Sequence, residues 1–152
     1  MTVSADYRVA PGETLTFTNE TGFQIQGEPS GAPDLTIEGA VTVLANNADR
    51  TSITGIQIGA SSFYDCLVTI ASTGVLRVTS TVAGGSASGY FSGSWSPDFI
   101  NRGLVEVSAR GQATGLTTWD AGPWLFENSG TFRVTSSEGD ARGVFLATGG
   151  TF

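Results

Sequence analysis

Apolar and polar residues alternate in four short runs along the chain, and each run follows a glycine. The second and fourth residues after that glycine are always apolar. An alternation with a period of two is typical of a β-strand that buries one face. The pattern therefore predicts four equivalent strands, which start after Gly39, Gly74, Gly103 and Gly130 and bury Val41 and Val43, Leu76 and Val78, Val105 and Val107, and Phe132 and Val134.

Two further features recur with each run. A large apolar residue stands four positions before the glycine, namely Leu35, Ile70, Phe99 and Phe126. A second glycine motif follows each strand and reads ITGI from Ile53, ASGY from Ala87, ATGL from Ala113 and ARGV from Ala141. The copies are spaced roughly 26 to 35 residues apart and settle near 27 in the C-terminal half. Self-similarity at this period indicates a solenoid of stacked coils.

Abundant Thr, Val and Gly favour β coils over helical repeats. We therefore predict an all-β, right-handed parallel β-helix (a β-solenoid) with coils of roughly 27 residues. Stacking would place equivalent residues in ladders along the axis. We expect the large apolar residues to form an inward ladder, Asn101 and Asn128 to bond inside one corner, and the glycine of the second motif to occupy another corner. The outward ladder would be Thr42, Arg77, Glu106 and Arg133.

The two ends of the chain differ in pattern. Residues 1–33 fit the repeat poorly and are predicted to form an N-terminal cap or an irregular first coil, because terminal repeats must cover an open stack. Residues 34–152 carry the repeats and stop in mid-coil, as expected for a piece of a longer protein. An open coil end would expose Leu146, Phe152 and unpaired strand edges. We therefore expect self-association through the open coil ends.

Composition narrows the classes of partner. The chain has a net charge of −7 and its seven cationic residues are all arginine, so it lacks the basic patch that nucleic acids and anionic membranes require. No apolar run approaches a membrane-spanning length, which predicts no membrane insertion, and the N-terminus does not resemble a cleaved signal peptide. The single cysteine, Cys66, has inward parity and is expected to be a buried filler. No metal site and no cofactor is predicted.

Candidate chemistry is sparse. The absence of histidine removes the common nucleophile–histidine pairs and histidine metal sites. Asp98, Asp120 and Glu127 are the remaining candidates for carboxylate catalysis, although a solvated acidic rim explains them as well. Tyr90, Trp95 and Trp119 could form an exposed stripe that stacks on sugars, and core packing is the competing interpretation. We expect no catalysis in this chain.

The segments INRG and ENSG, followed by LVEVSARGQATGL and TFRVTSSEGDARGV, resemble the repeats of large bacterial surface proteins. These include hemagglutinin-like proteins, autotransporter passengers and the repeat regions of RTX-type secreted proteins. The resemblance implies a right-handed β-helix that is extracellular and builds a stalk or an adhesive surface. We expect export without a cleaved N-terminal signal, and a protein of the RTX type would carry its export signal at the C-terminus. The GGxGxD calcium pattern of RTX proteins is missing from this sequence.

These observations lead to one main expectation about function and two alternatives. The main expectation is a structural and interaction module of a secreted bacterial surface protein, with self-association and surface polysaccharide as its candidate partners. The first alternative is a carbohydrate-binding or carbohydrate-cleaving β-helix that uses Tyr90, Trp95 and Trp119 as its platform. The second is a segment of a trimeric phage tail fibre.

Overall fold

A computed structural model describes residues 1–26, 33–49, 51–59, 66–93, 97–118 and 125–146. It shows an all-β solenoid of about four turns, with coils about 29 residues apart, so the predicted fold class is confirmed. The strands form three parallel sheets that run along the axis. The described residues contain no helix.

The sheets take one strand from each coil in turn. Sheet B contains β2 (Tyr7–Val9), β5 (Leu35–Ile37), β8 (Cys66–Ile70), β11 (Pro97–Asn101) and β14 (Phe126–Asn128). Sheet C contains β3 (Thr14–Phe17), β6 (Ala40–Ala45), β9 (Val75–Ser80), β12 (Leu104–Ala109) and β15 (Thr131–Ser136). Sheet A contains β1 (Thr2–Val3), β4 (Thr21–Ile25), β7 (Ser52–Ile58), β10 (Ser86–Ser92), β13 (Ala113–Thr118) and β16 (Ala141–Leu146).

The alternating runs form sheet C, and their inward residues line the core as predicted. Val43, Val78, Val107 and Val134 occupy one ladder across four neighbouring strands. The first three of these valines are fully buried or nearly so. The outward ladder Thr42, Arg77, Glu106 and Arg133 is confirmed as well, and Glu106 forms ion pairs with Arg77 at 3.1 Å and Arg133 at 3.3 Å.

The predicted ladder of large apolar residues in sheet B is wrong at one coil. Val68, not Ile70, pairs with Leu35 and with Phe99. Ile70 instead lies beside Ile37 and Asn101. The turn between β8 and β9 is two residues longer than the β5–β6, β11–β12 and β14–β15 turns and is closed by the Gly74 amide, which donates to the Ala71 carbonyl at 2.8 Å. The residue four positions before Gly74 is therefore Ile70, whereas the residue in the ladder is Val68.

The corner between β11 and β12 contains a buried amide, as predicted. The Asn101 side chain is fully buried and donates to Asn128 Oδ1 at 2.7 Å and to the Thr131 carbonyl at 3.0 Å. Its Oδ1 accepts from the Gly103 amide at 3.1 Å. Asn128 itself is exposed, because no further coil among the described residues covers it.

The segment 1–33 contributes strands to the same three sheets. Tyr7 pairs with Leu35, Thr14 with Ala40 and Phe23 with Ile56, all in parallel register. Phe23 is fully buried in the common core. The sheets of the solenoid therefore begin before residue 34.

The glycine of the second motif lies inside a strand of sheet A, so its predicted corner position is wrong. In β7 and β10 the glycine and the next residue are both buried, which interrupts the alternation by one position. In these two strands the alternation of buried and outward residues after the glycine is therefore one position out of step with the alternation before it. This shift also decides which side chains point outward.

Candidate binding face on sheet A

The predicted platform of Tyr90, Trp95 and Trp119 is not supported at its first member. Tyr90 is only 2% exposed, and its ring packs edge-on against Phe99 with 5.1 Å between ring centroids. Burial raises the pKa of its hydroxyl well above the ordinary value. Tyr90 is therefore a core residue that no ligand on the surface can reach. Trp95 and Trp119 lie outside the described residues, and their role stays a prediction.

The shift at the sheet A glycine explains why Tyr90 is buried. Tyr90 pairs with Ile56 in one neighbouring coil and Leu116 in the other, and both partners are fully buried or nearly so. The motifs ITGI, ASGY and ATGL already align these three residues. The aligned motifs therefore indicate that Tyr90 belongs to an apolar ladder.

The next residue, Phe91, lies on the outer face, and it was not among the site residues predicted from the sequence.

The outer face of sheet A consists of two ladders of side chains. The first contains short polar residues and ends in an arginine: Thr21, Thr54, Ser88, Thr114 and Arg142. The second combines amides, aromatic rings and a threonine: Gln24, Gln57, Phe91, Thr117 and Phe145. The strands β4, β7, β10 and β13 pair with a neighbour on both sides, whereas β16 is the last strand of this sheet among the described residues.

A shallow groove of about 500 Å³ follows these ladders across four coils. Its floor includes Thr114 and Thr117, each 9% exposed, and Phe91 and Phe145 are half-buried on either side of Thr117. The Arg142 guanidinium lies 5.5 Å from the centre of the Phe145 ring and is ion-paired with Asp140 at 3.2 Å. The face therefore combines aromatic surface, neutral hydrogen-bonding groups and one neutralised cation.

Two of the carboxylates considered for catalysis are described, and one of them has a structural role. Asp98 Oδ1 accepts a hydrogen bond from the Leu125 amide of the next coil at 2.8 Å. Asp6 and Asp34 accept from the amides of Asp34 and Leu67 in the same way, at 3.0 and 2.9 Å. Aspartate at this corner thus ties one coil to the next. Glu127 is exposed, and Asp120 lies outside the described residues.

Cys66 is buried, as predicted. Its thiol donates to the Pro33 carbonyl at 3.2 Å and is 2% exposed. Burial, with a smaller contribution from the nearby Asp34 carboxylate, raises the pKa of the thiol from 9.0 to about 12. The thiol is therefore protonated at neutral pH and is a poor nucleophile. Across the described ranges, no group of three or more Cys, Asp or Glu side chains is placed to hold a metal ion.

Comparisons with protein-family models, with curated protein sequences and with solved structures found no match to this chain. Within the described segments, the structure has no helix with the length and apolar character needed to span a membrane.

Proposed function

We propose that the chain is a structural and interaction module of a secreted bacterial surface protein, and that it acts by rigid extension, self-association or adhesion without catalysis. The observation that supports this proposal is the continuity of the stack. Three parallel sheets run through successive coils, and each coil packs on its neighbours. A solenoid of this kind extends in one direction and offers a long lateral surface. The similarity of its repeats to those of bacterial surface proteins supports the extracellular placement.

Self-association through a coil end has a structural basis in β14, β15 and β16. These strands are the last members of their sheets among the described residues. Phe132, Val134 and Val144 pack on the core but remain half-buried. A second copy could add its own coil to these edges, which would cover the apolar side chains and pair the free backbone groups.

Two charge variants of β15 test this association. Val134 points inward and Thr135 points outward, so Val134→Lys places a charge in the stacking surface while Thr135→Lys adds the same charge on the exposed face. We expect the wild-type chain of 15.7 kDa to show an average mass that rises with concentration in sedimentation equilibrium. Thr135→Lys should behave the same way, and Val134→Lys should stay monomeric.

Circular dichroism of both variants will show that the strands are retained. A wild-type chain that stays monomeric over the whole concentration range contradicts association through the coil end. So does a Val134→Lys variant that associates as strongly as the Thr135→Lys variant.

A further inference from the structure

We propose that the outer face of sheet A binds a neutral, linear polysaccharide that lies along the solenoid axis. This site does not depend on the scaffold role, and it uses residues other than the predicted tyrosine and tryptophans. The groove of about 500 Å³ is in the size range of small-ligand sites, and its lining residues come from four successive coils, so it extends in the direction in which a chain of sugars would lie.

The aromatic residues of the groove are placed for stacking. Phe91 and Phe145 belong to one ladder and are separated by Thr117, so their backbones lie two strand spacings apart, about 9.5 Å. The small threonine between them leaves a gap above the sheet. Sugar rings have apolar C–H faces that pack on aromatic rings while their hydroxyls remain at the edges. Two rings at this spacing can contact two positions along one glycan chain.

The polar residues beside the rings match the hydroxyls of a sugar. The side-chain hydroxyls of Thr54, Thr114 and Thr117 make no hydrogen bond to any part of the chain that the structure describes. Gln57 accepts a bond from Thr21 at 3.3 Å, which leaves its amide nitrogen available for donation. Hydroxyls and amides both donate and accept, as sugar hydroxyls do. A polyhydroxylated ligand can therefore satisfy groups that now face the groove.

Peptides and anions fit this face less well. The strands under the groove are paired on both sides, except β16, so a peptide cannot extend the sheet by strand addition at the centre of the face. Arg142 is the only cation that lines the described groove, and Asp140 already neutralises it. The net charge of −7 further disfavours anionic polymers. These charges favour a neutral glycan over a uronic acid polymer or a nucleic acid.

The binding experiment uses four polysaccharides of known charge. The 152-residue chain is titrated with soluble mixed-linkage β-glucan, galactomannan and xyloglucan as neutral probes and with polygalacturonate as the anionic probe, and binding is followed by calorimetry and amide NMR shifts. We expect at least one neutral polymer to bind and to shift the amides of β10, β13 and β16. Phe91→Ala and Phe145→Ala should each weaken its affinity at least tenfold.

Matched variants separate the site from general effects on folding. Leu104 is half-buried on the outer face of sheet C, so Leu104→Ala removes a comparable apolar side chain away from the groove and should leave the affinity unchanged. Phe91→Tyr and Phe145→Tyr keep the rings and should bind within about threefold of wild type. Urea midpoints measured on all variants will show that the alanine variants are folded.

Three outcomes would overturn the proposal. The first is that no neutral polymer binds. The second is that binding persists unchanged in both alanine variants, which would move any glycan site elsewhere on the chain. The third is that polygalacturonate binds more tightly than every neutral polymer and loses affinity in Arg142→Gln, which would make the face an anion site. None of these outcomes bears on coil-end association, which sedimentation tests separately.

Discussion

At the scale of single residues, the glycines inside sheet A set how closely successive coils can stack. A Cβ atom on Gly22, Gly55, Gly89 or Gly115 would lie 2.4 to 2.6 Å from the carbonyl oxygen of the glycine in the next coil. Real Cβ atoms do not approach a backbone oxygen so closely. Glycine is therefore required at these positions because there is no space for a Cβ atom, and the same close approach recurs between each of these glycines and the glycine of the next coil.

Gly55→Ala tests this requirement. The added Cβ would lie 2.6 Å from the Gly89 carbonyl oxygen and 2.7 Å from a Val78 methyl group. We expect a loss of about 1–3 kcal/mol in the free energy of unfolding, since a packed backbone must move to accept the methyl group. The measurement is urea denaturation followed by circular dichroism.

Gly143→Ala is the matched control, because Gly143 occupies the same column and has nothing within 4 Å of a Cβ. Its stability should equal that of wild type or exceed it by up to about 1 kcal/mol. Equal losses in the two variants would show that close stacking is not the reason for the glycine.

At the scale of elements, sequence periodicity predicted the strands well and the turns less well. The sheet C runs were located correctly because their alternation begins directly after a corner glycine. The sheet B ladder failed at Ile70, since turn length varies without changing the apolar pattern that follows. Tyr90 was misjudged for a related reason. One extra buried residue at Gly89 inverts the parity of β10, and simple alternation does not contain that shift.

The shift in alternation at the sheet A glycine is also the reason why the proposed binding face was not predicted from the sequence. Phe91 and Phe145 occupy one outward ladder only when the glycine shift is applied in every copy of the motif. Aligning the motifs would have shown that the positions after Tyr90 and Val144 are equivalent. The groove itself depends on side-chain size at three successive coils, with Thr117 between two phenylalanines. A list of aromatic residues does not reveal that arrangement.

The Asn101 corner connects three elements, and its removal should be costly. Asn101→Ala leaves the Gly103 amide without its 3.1 Å acceptor and removes the bonds to Asn128 and to the Thr131 carbonyl. We expect a loss of about 2–4 kcal/mol in the free energy of unfolding, because buried polar groups lose their partners. Asn128→Ala is the comparison, as it removes one of these bonds from an exposed position and should cost about 1 kcal/mol. Similar losses in urea denaturation would contradict a special role for the buried amide.

At the scale of the whole molecule, the common core buries the ionisable side chains of Cys66 and Tyr90, so the free energy of unfolding should fall at high pH. The Cys66 thiol has a pKa of about 12 in the folded chain, against 9.0 when it is not buried. The folded state therefore holds its proton more tightly than the unfolded state does. The stabilising contribution of the buried Cys66 thiol to the free energy of unfolding is therefore complete below pH 9 and falls as the pH rises toward 12. The raised pKa of Tyr90 acts in the same direction at higher pH.

Cys66→Ala isolates the share of the thiol. The variant should be less stable than wild type at pH 7, because it loses a buried group that packs in the core. Above pH 9 the difference between the two unfolding free energies should shrink by about 1.4 kcal/mol per pH unit. Urea denaturation at several pH values between 7 and 10.5 provides the measurement. A difference that stays constant over this range would contradict the assigned cause.

The parallel pairing of all three sheets also determines how the molecule carries mechanical load. The interstrand hydrogen bonds point along the solenoid axis, so a force that pulls the two ends apart peels one coil from the next. Coils are about 29 residues apart, and each detached coil would release about 100 Å of extended chain. The solenoid would then lengthen in discrete steps under tension, and it would absorb work while the remaining coils keep their surfaces intact.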